Sequence, residues 1–510
     1  MVVESYEVPN GHVVETDVCI VGGGMAGIAM ARELQRSGFG VVVLESGGIE
    51  YEGPSQALYQ GTGELSGDDV SARDISNYLV TSRFRQLGGA GNKWGGKCGI
   101  PDAEVFEERS WIPNSGWPVS RASLMPFYDL ACDVLGIERF GYDEGETQDA
   151  KRPALLVGSK DRITTSTRHM SPVTGRNTQD TAFKDYQSGV IDNPSIALYL
   201  HANVVDFYLN DAATAVTSVR VATLRKNAFV VQAKQFVLAT GGIENARLML
   251  NSNRQQPDGL GNQHGLVGRY FSGHMTLGSG SRVYFTNLTQ SLWLYTGGSR
   301  KFPLGVLKTA KALQAELGLP NATLTLNGGR PDADPFDESI LKSAYLADGR
   351  MKSPDRGEFE MKGNHVSVYL MSEEAPNPES RITLSEERDA LGMRRVQLDW
   401  KFTAGDLDAA MASAELFARE FGATGVGRMK PLFNRDSLLA SSGLSSHHIG
   451  TTRMHSDPKR GVVDSDCKVH GVDNLYVAGS SVFPSPGIVN PTLTIIALGL
   501  KLCSHLRGRL

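Results

Sequence analysis

Cysteine is scarce and scattered in this chain: five residues in 510, Cys19, Cys98, Cys132, Cys467 and Cys503, with no Cys-x-x-Cys pair. That spacing removes support for a disulfide framework or a zinc site, so no metal is expected. No stretch reaches the ~18 apolar residues of a membrane span. The start, Met1-Val2-Val3-Glu4-Ser5, lacks the basic and apolar segments of a secretory signal. A long basic run is also missing and the net charge is −5, which leaves nothing to hold nucleic acid or an anionic membrane. These absences set the expectation of a soluble, cytoplasmic protein, and the few cysteines suit a bacterial host.

What is present is globular. Apolar residues make up 40 % and charged residues 21 %, and a chain of this length exceeds the roughly 250–300 residues at which one core stops growing. Glycine is abundant, 57 residues, and clustered, as where tight turns bring backbone against a ligand.

The first cluster has a clear context. Asp17 to Val21 reads as a buried strand and runs into Gly22-Gly23-Gly24-Met25-Ala26-Gly27. A helical stretch, Ile28 to Ser37, ends at Gly38; a second buried strand, Val41 to Leu44, ends in Glu45. Strand, Gly-x-Gly-x-x-Gly, helix, strand and acid follow in order within about 30 residues, the pattern of a dinucleotide-binding unit. Gly22 permits the turn, Gly24 lets backbone approach a pyrophosphate, and Gly27 lets helix and strand pack closely. The N-terminus of the following helix offers free N–H groups and partial positive charge to that pyrophosphate. Glu45 stands where a carboxylate accepts ribose hydroxyls. The pattern alone does not separate FAD from NAD.

Later segments do. Leu87 to Gly99 holds seven glycine or alanine residues in thirteen, too many for a stable helix or packed strand. The embedded Trp94 points to a rigid loop that sets backbone amides against a cofactor, rather than a linker. Phe236 to Gly242 reads as a buried strand ending in small residues, with a helix from Glu244 to Leu250. Near the C-terminus stand Ser446-His447-His448-Ile449-Gly450-Thr451-Thr452-Arg453-Met454, then Asn474 to Ser481, then Gly487-Ile488-Val489-Asn490-Pro491-Thr492-Leu493-Thr494. With Asn377 to Arg381 and Arg388 to Gly392, these motifs resemble the glucose–methanol–choline (GMC) oxidoreductase family. Residues 140–195 and 276–365 contribute little to the likeness.

The resemblance implies an α/β fold with an α+β second part: a Rossmann-type FAD-binding domain from residues 1–100, 198–275 and 440–510, and a discontinuous, sheet-containing substrate domain from 101–197 and 276–439. It implies catalysis by His447, at the first position of the His-x-Ile-Gly-Thr segment, with Asn490 as partner. His447 would take the hydroxyl proton while hydride leaves the same carbon for the flavin; imidazole, with an ordinary pKa of about 6.5, suits that task. His448 is the competitor, and in an extended segment only one of the two side chains can face the flavin. The expected cofactor contacts are Gly22, Gly24, Met25, Ala26, Gly27, Glu45, Gly88, Gly89, Gly91, Asn92, Trp94, Val204, Gly479, Ser480, Asn490, Pro491 and Thr492. Asn490 also reads as a helix cap, followed by Pro491 at the first helical position. Sugar-oxidising relatives that attach FAD covalently use a His where Lys93 stands here, so non-covalent FAD is expected, with Cys98 the nearby thiol to check.

The Asn490 pairing resembles pyranose oxidases and glycoside 3-oxidases, which implies oxidation of a sugar or glycoside at C2 or C3, with oxygen or another acceptor reoxidising the flavin. An oligomer is compatible with the sequence. Open alternatives are a sterol, polyol or simple alcohol as substrate, an FAD-containing lyase, and a non-catalytic flavin binder. Period-two patterns predict strands at Asn364–Leu370 and Arg395–Trp400. Gly329 to Gly357 reads as either a solvated loop or a lid, and Trp293, Tyr295 and Tyr345 are aromatic candidates for stacking on a sugar.

Overall fold

The computed structural model describes residues 1–68, 70–140, 161–176, 181–277, 281–285, 295, 304–327, 344–345, 350–353, 357–360, 365–431 and 443–510. Trp293 and most of 329–357 lie outside this set; within the latter, Ala344–Tyr345, Arg350–Ser353 and Gly357–Glu360 form a three-stranded antiparallel sheet. Tyr295 is fully buried and hydrogen-bonded to Thr165 at 2.7 Å, so it packs rather than stacks on a ligand.

The first sheet is built on the N-terminal strands. In order across it lie Val2–Glu4, Ile196–Leu200, Val41–Leu44, Val13–Val21, Ala228–Leu238, Val216–Ala222 and Asn203–Leu209, and Leu475–Val477 also pairs with Ala228–Leu238. The strands from Val2–Glu4 to Ala228–Leu238, and Leu475–Val477, run parallel; the last two are antiparallel. Val18 to Val21 and Val41 to Leu44 are buried without alternation, as parallel strands covered on both faces must be. Helices Met25–Arg36 and Thr492–Arg507 pack on each other, and Arg121–Leu135 packs on the latter. The first helix starts at Met25, earlier than the apolar pattern suggests, because the glycine turn is complete by Gly24.

The second large sheet orders Gly427–Lys430, Arg282–Phe285, His365–Glu373, Ala322–Asn327, Leu304–Thr309, Ile163–Met170 and Lys97–Cys98, with His274–Leu277 also on His365–Glu373. Along His365–Glu373 the residues Val366, Val368 and Leu370 are buried, and helix Ala404–Ala423 packs on this sheet. The other strand expected from alternation, observed as Arg394–Phe402, lies in a different sheet, with Arg381–Arg388, Gly61–Gly67 and Val70–Asp74. Period two reveals a strand but not its partners.

Buried charge joins these layers. Glu244, on helix Gly241–Asn251, pairs with Arg83 at 2.8 Å and Arg85 at 2.7 Å, and Arg247 pairs with Asp389 at 2.7 Å. The guanidiniums of Arg83 and Arg85 lie 3.9 and 4.5 Å from the Tyr59 ring centroid, within cation–π range. Despite burial, the three arginines hold Glu244 down at about 2. Glu244→Ala strands Arg83 and Arg85 without a carboxylate and is expected to cost about 3–5 kcal/mol, read as a large fall in melting temperature. In the wild type the contribution of Glu244 is present above its ordinary pKa of 4.5 and is lost as pH falls toward about 2; acid titration of the melting temperature checks the sign.

Candidate active site

The glycine turn shapes a cradle. At Gly22, φ is +110° and an added Cβ would sit 2.6 Å from the Ala239 carbonyl oxygen. A Cβ at Gly27 would sit 2.0 Å from the Gly22 carbonyl oxygen, so that glycine serves helix–strand packing. A Cβ at Gly24 would meet nothing within 4 Å: it would project into a cavity of about 190 Å³. Of the residues expected at the cofactor, Gly22, Gly24, Met25, Ala26, Glu45, Gly89, Gly91, Trp94, Val204, Gly479, Ser480 and Thr492 line this cavity. Gly27, Gly88, Asn92, Asn490 and Pro491 are not among its walls. The Asn92 amide instead donates to the Leu87 and Gly89 carbonyls at 3.0 and 2.9 Å, and Trp94 donates to the Val173 carbonyl at 2.8 Å. The glycine-rich segment is thus a pinned loop.

The cavity's chemistry fits a dinucleotide. Glu45 is buried at the end of its strand, where the Gly23 and Gly47 amides each donate to it at 2.8 Å; burial raises its pKa. Oε1 also accepts from Ser46 Oγ at 3.3 Å, and Oε2 keeps a lone pair for a ribose hydroxyl. Arg83 and Arg85 also line the cavity, and Arg85 Nε is buried with no acceptor. The unpaired Arg85 Nε–H and the open backbone at Gly24 are donors and space of the kind a pyrophosphate requires. Cys98 is buried and its thiol is pushed up by burial, whereas Lys93 is exposed, its ammonium 4.5 Å from the Phe84 ring centroid.

The two adjacent histidines separate as extended backbone dictates. His448 turns to Ser82 Oγ, 3.1 Å from its Nε2, and meets Tyr78 edge to face at 5.5 Å; burial lowers its pKa to about 3. It also lines the cavity. His447 turns the other way: its Nε2 lies 3.2 Å from Asn490 Nδ2 and its Nδ1 lies 2.7 Å from Nδ1 of a third histidine, His274. The expected capping role of Asn490 is corrected here. The helix begins at Thr492 with Pro491, which has no side-chain acceptor, at the cap, so Asn490 stands one residue outside the cap position and its Nδ2 faces His447.

These contacts select a tautomer. His274 Nε2 faces the Pro486 carbonyl at 3.5 Å, which can only accept, so the proton of neutral His274 sits on Nε2. Its Nδ1 then accepts from His447 Nδ1–H, which leaves a lone pair on His447 Nε2, beside the Asn490 N–H₂ donor. Burial, then the neighbouring His274 and His448, hold His447 well below its ordinary pKa; burial lowers His274 to about 4. Sequence patterning missed His274, because the contact bridges 173 positions and a lone histidine carries no periodic signal. It also missed Glu373, which receives both Arg109 Nη atoms at 2.7 and 2.8 Å and the Gly487 amide at 3.1 Å. That clamp holds the segment leading to Asn490. Among the described residues, no group of three or more His, Cys, Asp or Glu could hold a metal ion, and no helix is long and apolar enough to cross a membrane.

Residues 376–499 match the family model described as GMC oxidoreductase, and 17–73 match the one described as FAD dependent oxidoreductase. The chain is similar to a paromamine 6′-oxidase from Streptomyces fradiae, 26 % identical across 97 % of this chain and 92 % of that protein. A C-glycoside 3-oxidase from Arthrobacter globiformis is 32 % identical over 27 % of this chain and 26 % of its own. In fold, it resembles the crystal structure of pyridoxine 4-oxidase from Mesorbium loti, with a TM-score of 0.56 and 18 % identity over 97 % of this chain and 99 % of that one.

The two glycines separate cofactor space from packing space. Gly24→Ala is expected to fold normally yet lose bound FAD, whereas Gly27→Ala lowers the melting temperature itself, by the equivalent of roughly 1–3 kcal/mol of overpacking. Visible absorbance of the purified variants and thermal melts of both apoproteins check the distinction.

Proposed function

We infer the reaction from a membership: the chain belongs to the GMC oxidoreductase family and is an FAD-dependent enzyme that oxidises CH–OH groups. The substrate in our reading is a sugar or glycoside, oxidised at a secondary ring hydroxyl, C2 or C3, to the ketone. Relatives named as paromamine 6′-oxidase and C-glycoside 3-oxidase support a sugar hydroxyl. The observation that carries the mechanism is the His447 Nε2 lone pair directed beside Asn490 Nδ2.

FAD, when bound, supplies the hydride acceptor. His447 Nε2 takes the hydroxyl proton, and Asn490 donates to the same oxygen and fixes its position. The resulting imidazolium keeps its Nδ1–H on His274 Nδ1, so no reorganisation is needed as charge develops. The N-terminus of helix Thr492–Arg507 brings partial positive charge to the cavity wall at Thr492. We assign cofactor binding to residues 1–100, 198–275 and 440–510 and substrate binding to 101–197 and 276–439. The sheet made from 61–74 and 381–402 ties the two parts together. Oxygen or another two-electron acceptor closes the cycle, and FAD is held without a covalent bond.

His447→Ala should keep FAD but slow anaerobic flavin bleaching by a reactive glycoside about 10²–10⁴-fold; bleaching at wild-type rate would end the assignment. Because the base must be neutral and its pKa lies below 6.5, kcat/KM should stay level as pH falls past 6.5 and decline only at more acid values. A pH profile with a fall centred at or above 6.5 contradicts this. Acid precipitation should release all yellow colour into the supernatant; flavin retained on the pellet would refute non-covalent binding.

A further inference from the structure

The strand that pairs with His274 carries a second cluster of polar groups. His274 opposes Glu373 directly, and directly paired residues of an antiparallel sheet project from the same face. Alternation along His365–Glu373 puts Tyr369 on that face too. The register Leu304↔Arg168 on the neighbouring strands, with Lys308↔Thr323 and Thr323↔Met371, carries the same face across to Arg168. The face that holds His274 against the proposed base therefore continues as Tyr369, Lys308 and Arg168, while Val366, Val368 and Leu370 occupy the other.

This face is cationic. Lys97 Nζ donates to the Tyr369 hydroxyl at 3.0 Å, and Lys97, Thr325 and Arg168 together hold that phenol below its usual pKa despite burial. Arg168 is 5 % exposed. Among the described residues its two hydrogen bonds both come from Nη1, to Ser166 Oγ and the Thr167 carbonyl, which leaves Nε and Nη2 for another acceptor. Its side chain lies across Gly99, where a Cβ would be 2.9 Å from Arg168 Cδ. The nearby carboxylates are committed elsewhere: Asp102 to Lys308 at 2.5 Å and Glu373 to Arg109. Among the described residues no carboxylate ion-pairs with either Lys97 or Arg168, in a chain whose net charge is −5. A buried guanidinium without a counter-ion is costly unless a ligand supplies one.

Building on the reading of the site as one that oxidises glycosides, we propose that the substrate bears a compact oxyanion, a carboxylate or phosphate, at the end remote from the oxidised carbon, held by Lys97 and Arg168 with Tyr369. Tyr369 and Glu373 are four positions apart, about 13 Å along a strand, the reach of a glycoside rather than of a single sugar. The same charges repel an ammonium-bearing substrate.

The test uses the FAD-loaded enzyme and matched phenyl, 4-carboxyphenyl and 4-(aminomethyl)phenyl glucosides and galactosides, with phenyl phosphate and benzoate as competitors. Binding is read by perturbation of the flavin spectrum and by calorimetry, and reaction by anaerobic bleaching. The carboxylated member should bind about ten- to hundredfold more tightly than the neutral one, the worth of a charge-assisted contact, and lose that advantage in high salt. Lys97→Met should raise its KM with kcat unchanged and leave the phenyl glycoside unaffected; Arg168→Gln should do the same where it folds. Preference for phenyl phosphate over benzoate as competitor would identify the oxyanion as phosphate, and the reverse as carboxylate. Equal affinity across the three, or preference for the ammonium compound, overturns the proposal. Salt-sensitive binding of the carboxylated compounds without any bleaching would uphold the oxyanion site and refute glycoside oxidation instead.

Discussion

One buried carboxylate holds the proposed catalytic end of this molecule in register. Glu373 takes both Nη atoms of Arg109, the Asn321 amide and the Gly487 amide, and it opposes His274 across the sheet. Through these contacts one side chain fixes the strand bearing His274, the segment before Asn490 and the loop bearing Arg109. A buried ion pair of this kind adds little net stability, but removing one partner is expensive, about 3–5 kcal/mol. Its value is positional: three pieces of chain distant in sequence share one geometry.

That geometry bears directly on the proposed chemistry. A neutral histidine has two tautomers, and only one leaves Nε2 able to accept a proton. The direction is chosen at the far end of the chain of contacts, by a backbone carbonyl that cannot donate. Burial then keeps His447 and His274 neutral. The cofactor end obeys a different logic, in which the open backbone at Gly24 and the unpaired Arg85 Nε–H leave space and a donor suited to a pyrophosphate. The two ends meet along the cavity walls formed by Ser480, Thr492 and His448.

The N-terminal dinucleotide unit was legible because its constraints are local. A turn that needs φ near +110° at Gly22 and a 2.0 Å conflict at Gly27 leave few residue choices, so backbone geometry is written directly into composition. Buried parallel strands likewise announce themselves as apolar runs. The strand at 394–402 was legible as a strand, yet its place beside 61–67 was not, since pairing partners are set by packing and not by period.

By itself, the sequence determined the glycine cradle, the acid after the second strand, the paired motif of His447 and Asn490, and through their resemblance the family and its cofactor. Tertiary structure alone decided that the Asn490 amide serves His447 rather than capping a helix, that His448 turns toward Ser82, and that His274 chooses the tautomer. It also gathered Lys97, Arg168 and Tyr369 onto one sheet face. Local motifs survive in sequence because a few adjacent dihedral angles demand them. Contacts between residues 173 or more positions apart follow from strand register and burial, and they leave no trace in the order of neighbouring residues.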